Sequence, residues 1–276
     1  RVYLLIVTVG LLLACIGMVV MLNNIFYLFL IIFMLRFFGQ GAMTHAGETT
    51  MARYFGNNRG KALSVATLGG MAGVMFLPYI SLNYFKDIEM KQLWIYASIS
   101  IVVFTPFIFI ALAGQTARHD KFDQALINDP LNLKLRTRDI FKDKKFYIYL
   151  PLSMAAPFIS TGLMFHQIYI FDKKNWSLEM LGNGYILLGF FSIIGLMIGG
   201  PLIDKFHTKK TAITVLVPLL LSVIILLLFD SVFFLIIYMS LYGFNMGVSV
   251  PFIGSLWAEI YGVKSLGTVK ALLHAG

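Results

Sequence analysis

The chain has 276 residues, of which 59% are hydrophobic and only 13% charged, and Lys plus Arg outnumber Asp plus Glu 22 to 13. A water-soluble domain carries about 25% charged residues, so this composition excludes a soluble fold. The single cysteine, Cys15, sits inside an apolar run, which excludes a disulfide framework or a thiolate metal cluster within the chain.

Eight apolar segments are each long enough to cross a hydrocarbon core of about 30 Å as helix. They lie at 2–22, 25–47, 62–85, 92–114, 146–170, 182–203, 211–229 and 232–256, and a ninth begins near 267. Lipid leaves exposed backbone unsatisfied, so these segments are predicted to be helices. They lack the alternation of an outer-membrane barrel strand. The predicted fold class is all-α integral membrane. No cleavable signal peptide is expected, since no charged stretch precedes a short apolar one.

The loops set the orientation. With Arg1 placed in the cytoplasm, 17 of the 22 basic residues share that side, including Arg53, Arg59, Lys61, Lys205, Lys209, Lys210 and the cluster from Arg118 to Lys145. Lys86, Lys91, Lys173 and Lys174 fall on the other side, and Arg36 lies within a span. The excess charge therefore reports topology and not nucleic-acid binding. The long polar stretch 115–145 reads as a cytoplasmic linker between an N-terminal bundle, 1–114, and a C-terminal bundle, 146–276. Two readings stand for its end, Arg138 to Lys145: a short amphipathic helix on the membrane surface, or a solvated charged connector.

An offset of 206 residues aligns Leu35 with Leu241, Gly41 with Gly247, Ala52 with Ala258, Phe55 with Tyr261 and Gly56 with Gly262. These positions are the ends of spans two and eight and the loops after them. Parallel repeats are a known transporter architecture. The repeat predicts two spans ahead of Arg1 and completion of the ninth plus one more after Gly276, giving two sets of six.

Three stretches then carry a family likeness. Gly200-Pro-Leu-Ile-Asp204-Lys205-Phe-His207-Thr-Lys209-Lys210 is similar to the loop motif Gly-x-x-x-Asp-Arg/Lys-x-Gly-Arg/Lys-Arg/Lys of the major facilitator superfamily, departing from it at His207 and Thr208. Arg36-Phe-Phe-Gly39-Gln40-Gly41 and Arg53-Tyr-Phe-Gly-Asn-Asn-Arg59-Gly60-Lys61-Ala62 resemble the family's fourth helix and the loop after it. The likeness runs over essentially the whole chain. It implies a two-bundle secondary transporter whose visible helices correspond to the third through the start of the eleventh. The glycine-rich segment Leu68–Gly73 with Pro78 lacks the Gly-Pro pair of drug–proton antiporters. The Arg36 stretch, with Phe165-His166-Gln167, looks more like the branch containing monocarboxylate and oxalate–formate-type carriers.

Arg36 lies halfway along its span, where a charge costs at least about 2.5–3.5 kcal/mol. Arg36, Gln40, Thr44 and Glu48 form one stripe at α-helical spacing, predicted to face a water-filled interior. Glu48 is about 18 Å from Arg36 along a helix axis. The partner of Arg36 is then expected to be a backbone carbonyl, a group on one of the helices expected beyond the ends of this sequence, or the solute. Two readings stand: Arg36 grips a solute carboxylate bidentately, or it is a structural ion-pair member. His166 and Gln167 are further binding candidates, His166 also for proton coupling, against a packing role for the histidine. Tyr242 and Asn245 are repeat-mates of Arg36 and Gly39 and candidate lining residues. His45 and Glu48 are gate candidates or solvated groups.

Asp204, Lys205, Lys209, Lys210, Arg53 and Arg59 are candidate gate residues. The Asp204 carboxylate would cap a helix N-terminus or pair with a basic group in one conformation only; the plain alternative is a positive-inside anchor. Gly184, Gly189, Gly195 and Gly199 suggest close helix packing, or the bending that rocking requires. The expected function is alternating-access movement of a small, anionic organic solute, coupled to a proton or a counter-solute. A monomer in a plasma membrane of bacterial inner-membrane type is expected. No cofactor or metal is expected; the lack of a phosphate-binding loop argues against an ATPase, and the five scattered histidines argue against a polytopic membrane enzyme. The alternatives are an efflux carrier for a neutral or cationic compound, a polytopic membrane enzyme, or a non-functional remnant.

Overall fold

The computed structural model describes residues 2–20, 24–44, 47, 51, 55, 58–85, 88–112, 136–262 and 265–275. Among them the regular structure is entirely helical. In chain order the helices are α1 (Val2–Val20), α2 (Ile25–Met34, running on as a π-helix over Leu35–Met43), α3 (Arg59–Tyr84), α4 (Met90–Leu112), α5 (Thr137–Lys142), α6 (Lys144–Lys173), α7 (Leu178–Leu228), α8 (Val232–Tyr261) and α9 (Leu266–Ala275). Seven of these stretches are long and apolar enough to cross a membrane. At 51 residues α7 would measure about 76 Å if straight, more than twice a hydrocarbon core. It breaks at His207, so it makes two crossings, matching the predicted spans 182–203 and 211–229.

The described helices group into two compact units. One comprises Arg1–Gly47 with Asp87–Asn132 and His274–Gly276; the other comprises Glu48–Lys86 with Leu133–Leu273. Helix α3 thus groups by contact with helices that follow the linker, although in chain order it precedes them. Most of 115–145 lies outside the described residues.

In the first unit α1 packs against α2, its π extension and α4. The packing is close because α1 offers glycines: a Cβ on Gly10 would lie 2.6 Å from the Phe38 ring, and one on Gly17 would lie 3.0 Å from Ile31. Tyr3 donates its hydroxyl to the carbonyl of Ala42 at 2.9 Å, fixing the far end of the π segment.

In the second unit the interior is built from α7, α8 and α3. Lipid gives apolar helices little reason to associate, so small residues that let backbones approach carry the packing. A Cβ on Gly243 would sit 2.1 Å from the carbonyl oxygen of Leu188, and one on Gly247 would sit 2.0 Å from that of Ser192. Ser192 Oγ then donates to the carbonyl of Gly243 at 2.9 Å, a hydrogen bond across the helix pair. Because backbone cannot yield as a side chain does, Gly247→Val is expected to cost at least about 3 kcal/mol. A collapse in the yield of monodisperse protein would register this; a variant melting within a degree of the parent would refute it.

At one end of this unit two connections are tied together. Trp176 Nε1 donates to the carbonyl of Asp230 at 2.7 Å, and Lys174 Nζ reaches both Phe229 O at 3.0 Å and the Asp230 carboxylate. Ser177 caps α7 by accepting from Met180 N. Asn175, between them, takes a positive φ of 56°, a conformation that asparagine tolerates better than most residues.

Candidate functional site

The polar stripe of the second span is partly assembled. Arg36 Nη1 donates to Gln40 Oε1, and Thr44 Oγ1 donates to the carbonyl of Gln40. All three side chains lie on the surface of the chain. Two expectations change. The stripe rests on a π-helix rather than the α-helix assumed from its spacing. Its i→i+5 hydrogen bonds widen the turn, a departure that often marks functional sites. One partner of Arg36 is the Gln40 side chain, one turn along its own helix, a partner not among those expected from sequence. Gly39 and Gly41 lie within the π segment. His45 and Glu48 lie outside the described residues.

The second constellation is the turn between the two arms of α7. Asp204 accepts hydrogen bonds from the first amides of α3: Gly60 N at 2.8 Å and Lys61 N at 3.1 Å. These amides have no partner within their helix, and the carboxylate complements the positive end of the helix dipole. Close approach makes this possible. A Cβ on Gly60 would lie 2.4 Å from the carbonyl oxygen of Gly200, so both helices need glycine at their crossing. From that point α3 and the first arm of α7 run antiparallel in contact. Met75 lies against Gly189, and Asn83 lies against Gly182 near the other end, its Nδ2 2.4 Å from where a Cβ would be.

Immediately after Asp204 the backbone reverses at His207, with φ 63° and ψ 156°. That region is essentially reserved for glycine, which explains why the resembled motif has glycine there. The turn is secured by Glu259 from the end of α8. Its carboxylate accepts from Thr208 N at 3.1 Å and Thr208 Oγ1 at 2.7 Å, capping the second arm of α7, and lies 3.8 Å from His207 Nδ1. His207→Gly is expected to raise stability by about 1–3 kcal/mol, the cost of such a backbone for a non-glycine residue. The exposed His207–Glu259 contact that is lost is worth little. A higher thermal transition of the purified variant is the expected reading; a lower one would mean the histidine side chain matters more than its backbone.

Glu259 was not singled out in the sequence. A signal was available: the 206-residue offset places it opposite Arg53, an acid facing a base at equivalent junctions. Of the other gate candidates, Lys205, Lys209 and Lys210 are exposed, with Lys205 Nζ over the Phe206 ring at 5.2 Å. Arg53 and the side chain of Arg59 lie outside the described residues.

The remaining candidates separate. His166 is exposed, whereas its neighbour Gln167 is 1% exposed. Gln167 accepts from the Tyr185 hydroxyl at 2.8 Å and its amide approaches Met239 Sδ at 3.7 Å. Tyr242 and Asn245 are each 0% exposed. The Tyr242 hydroxyl donates to the carbonyl of Ser160 at 3.0 Å, and Asn245 Nδ2 donates to that of Val215 at 2.6 Å. Gln167, Tyr242 and Asn245 are thus drawn into packing among α6, α7 and α8, on hydrogen bonds that lipid would otherwise leave unmade. Among the described residues no three His, Cys, Asp or Glu side chains gather as a metal site would require.

The described helices thus form a polytopic membrane bundle with an arginine within one span and a carboxylate-capped crossing of two helices. The chain belongs to the Major Facilitator Superfamily, whose family model matches residues 2–276. That family is one of secondary transporters. No curated protein matches the chain in sequence.

Proposed function

We propose that the protein carries a small anionic organic solute, bearing a carboxylate, across a plasma membrane of bacterial inner-membrane type by alternating access. A proton or a counter-solute supplies the driving force. The observation that carries this reading is Arg36 in the π segment of an otherwise apolar span, its guanidinium oriented by Gln40. A cation at mid-span is costly, and a planar fork of donors is matched to a carboxylate. The likeness of the Arg36 stretch to monocarboxylate and oxalate–formate-type carriers points the same way. His166, on the surface, is the candidate proton-coupling group.

In this reading the end of the second unit that carries Gly60, Asp204 and Glu259 faces the cytoplasm. The Asp204–α3 contact holds that end closed, and it is made in one conformation and broken in the other. The contact of Asn83 with Gly182 closes the opposite end of the same seam.

The test is uptake of labelled short-chain mono- and dicarboxylates into proteoliposomes holding the full chain. Saturable uptake that other carboxylates inhibit and amines do not is expected. Uptake inhibited by organic cations but not by carboxylates would reverse the charge assignment.

A further inference from the structure

The end of the 115–145 linker, just ahead of the second group of spans, is built as a docked strap. Helix α5 (Thr137–Lys142) is followed after one residue by α6. Ile140 is 0% exposed, and the Phe141 ring meets Phe146 edge-on at 5.7 Å, while Phe146 in turn packs on Trp257 at 5.5 Å. The strap is thereby fixed to the foot of α6 and α8.

Its charges are sorted. The two acids bond to local backbone amides: Asp139 Oδ2 accepts from Arg136 N at 3.3 Å, and Asp143 Oδ1 accepts from Lys145 N at 2.9 Å, capping α6. The five bases, Arg136, Arg138, Lys142, Lys144 and Lys145, are all exposed. Among them stand exposed apolar groups: Phe141 at 46%, Tyr147 at 56% and Ile148 at 68%. This mixture sits where an apolar span begins, the level at which aromatic rings and basic groups meet lipid headgroups. Lys205, Lys209 and Lys210 belong to the same end of this unit, since Thr208 is bound to Glu259 and Trp257 is bound to Phe146.

We propose that Arg136–Lys145 is a docking site for anionic lipid headgroups, held to the bundle through Ile140 and Phe146. Charge complementarity selects the occupant: a cluster of basic residues adjoining a transmembrane helix fits anionic phospholipid, and the exposed Phe141 fits the acyl boundary. A soluble acidic partner would have no use for the exposed apolar side chains interleaved with the bases. The site does not depend on the solute carried, so it stands or falls apart from the transport reading.

The full chain, purified in detergent, would be titrated with phosphatidylglycerol and with phosphatidylcholine, and retained lipids counted by native mass spectrometry. Replacing all five bases with Gln is expected to lower apparent affinity for phosphatidylglycerol by roughly tenfold or more and leave phosphatidylcholine unchanged. Lys91→Gln with Lys173→Gln is expected to change neither, and exchanging Arg for Lys and Lys for Arg across the strap should preserve retention. If the five-site variant fails to fold, Arg138→Gln with Lys142→Gln is the reading, with a smaller loss in the same direction. Unchanged phosphatidylglycerol retention, an equal loss in the Lys91 and Lys173 control, or displacement by inorganic phosphate or an acidic peptide at concentrations matched to the lipid would each overturn the proposal.

Discussion

Asp204→Asn is expected to weaken the crossing of α3 and α7 and, on the proposed reading of Asp204 as a gate, to open that end of the second unit. The substitution removes the charge and leaves at most one oxygen to accept from Gly60 N and Lys61 N. A side-chain cap is worth about 0.5–2 kcal/mol, and charge against a helix dipole adds about 0.3–1 kcal/mol. If the contact exists in one conformation only, its loss shifts the equilibrium by that amount, on the order of tenfold in population. Ser64 is 6% exposed and lies beneath the Gly60–Gly200 crossing. A cysteine at position 64, with Cys15 replaced, is expected to react with a water-soluble maleimide about tenfold faster in the Asp204→Asn background, with net transport reduced. An unchanged labelling rate would reduce Asp204 to a packing residue.

Arg36→Lys is expected to cut uptake by roughly a hundredfold, the equivalent of about 2–3 kcal/mol for losing a bidentate charge-assisted pair. The charge survives, so insertion of the span should too. What is lost is the planar fork and the donor geometry toward Gln40 Oε1. Inhibition by competing carboxylates separates binding from structure: a binding role predicts that inhibition weakens along with uptake. A structural role predicts less folded protein with unaltered competition among the survivors. Full uptake with unchanged preference in Arg36→Lys would remove this residue from the solute site.

How much of this was legible in the chain depends on what each signal measures. Run length and composition exposed the spans, because a bilayer imposes a length that composition reveals. The break at His207 was visible as a short polar interruption and as a departure from the resembled motif, but the strain there is a backbone property that no residue name states. The loop around Asp204 pointed to either a helix N-terminus or a basic group as its partner, and packing supplies the first amides of α3. The glycines of span six announced close approach without saying to what. Gly195 and Gly199 meet α8, and Gly184 meets Met239 of the same helix, whereas Gly189 meets Met75 of α3.

Other features were not legible. A periodicity argument presumes 3.6 residues per turn, so it could not find the π segment over Leu35–Met43 or Gln40 as a partner of Arg36. The repeat fixed the level of Tyr242 and Asn245 along an axis but not their facing, and hydrogen bonds to Ser160 and Val215 place both in the interior of the unit. Likewise a single step along α6 separates exposed His166 from buried Gln167, a distinction that adjacency in sequence erases.

The central claim is that the α3–α7 seam opens and closes at Asp204 as the solute crosses. The most direct measurement is the distribution of distances between spin labels at Asn58 and Lys205, both exposed beside the seam, in the full chain in bilayers with Cys15 replaced. Two populations are predicted, the shorter dominant, with Asp204→Asn enlarging the longer and the solute shifting their ratio. A single distance, indifferent to both the substitution and the solute, would contradict the account.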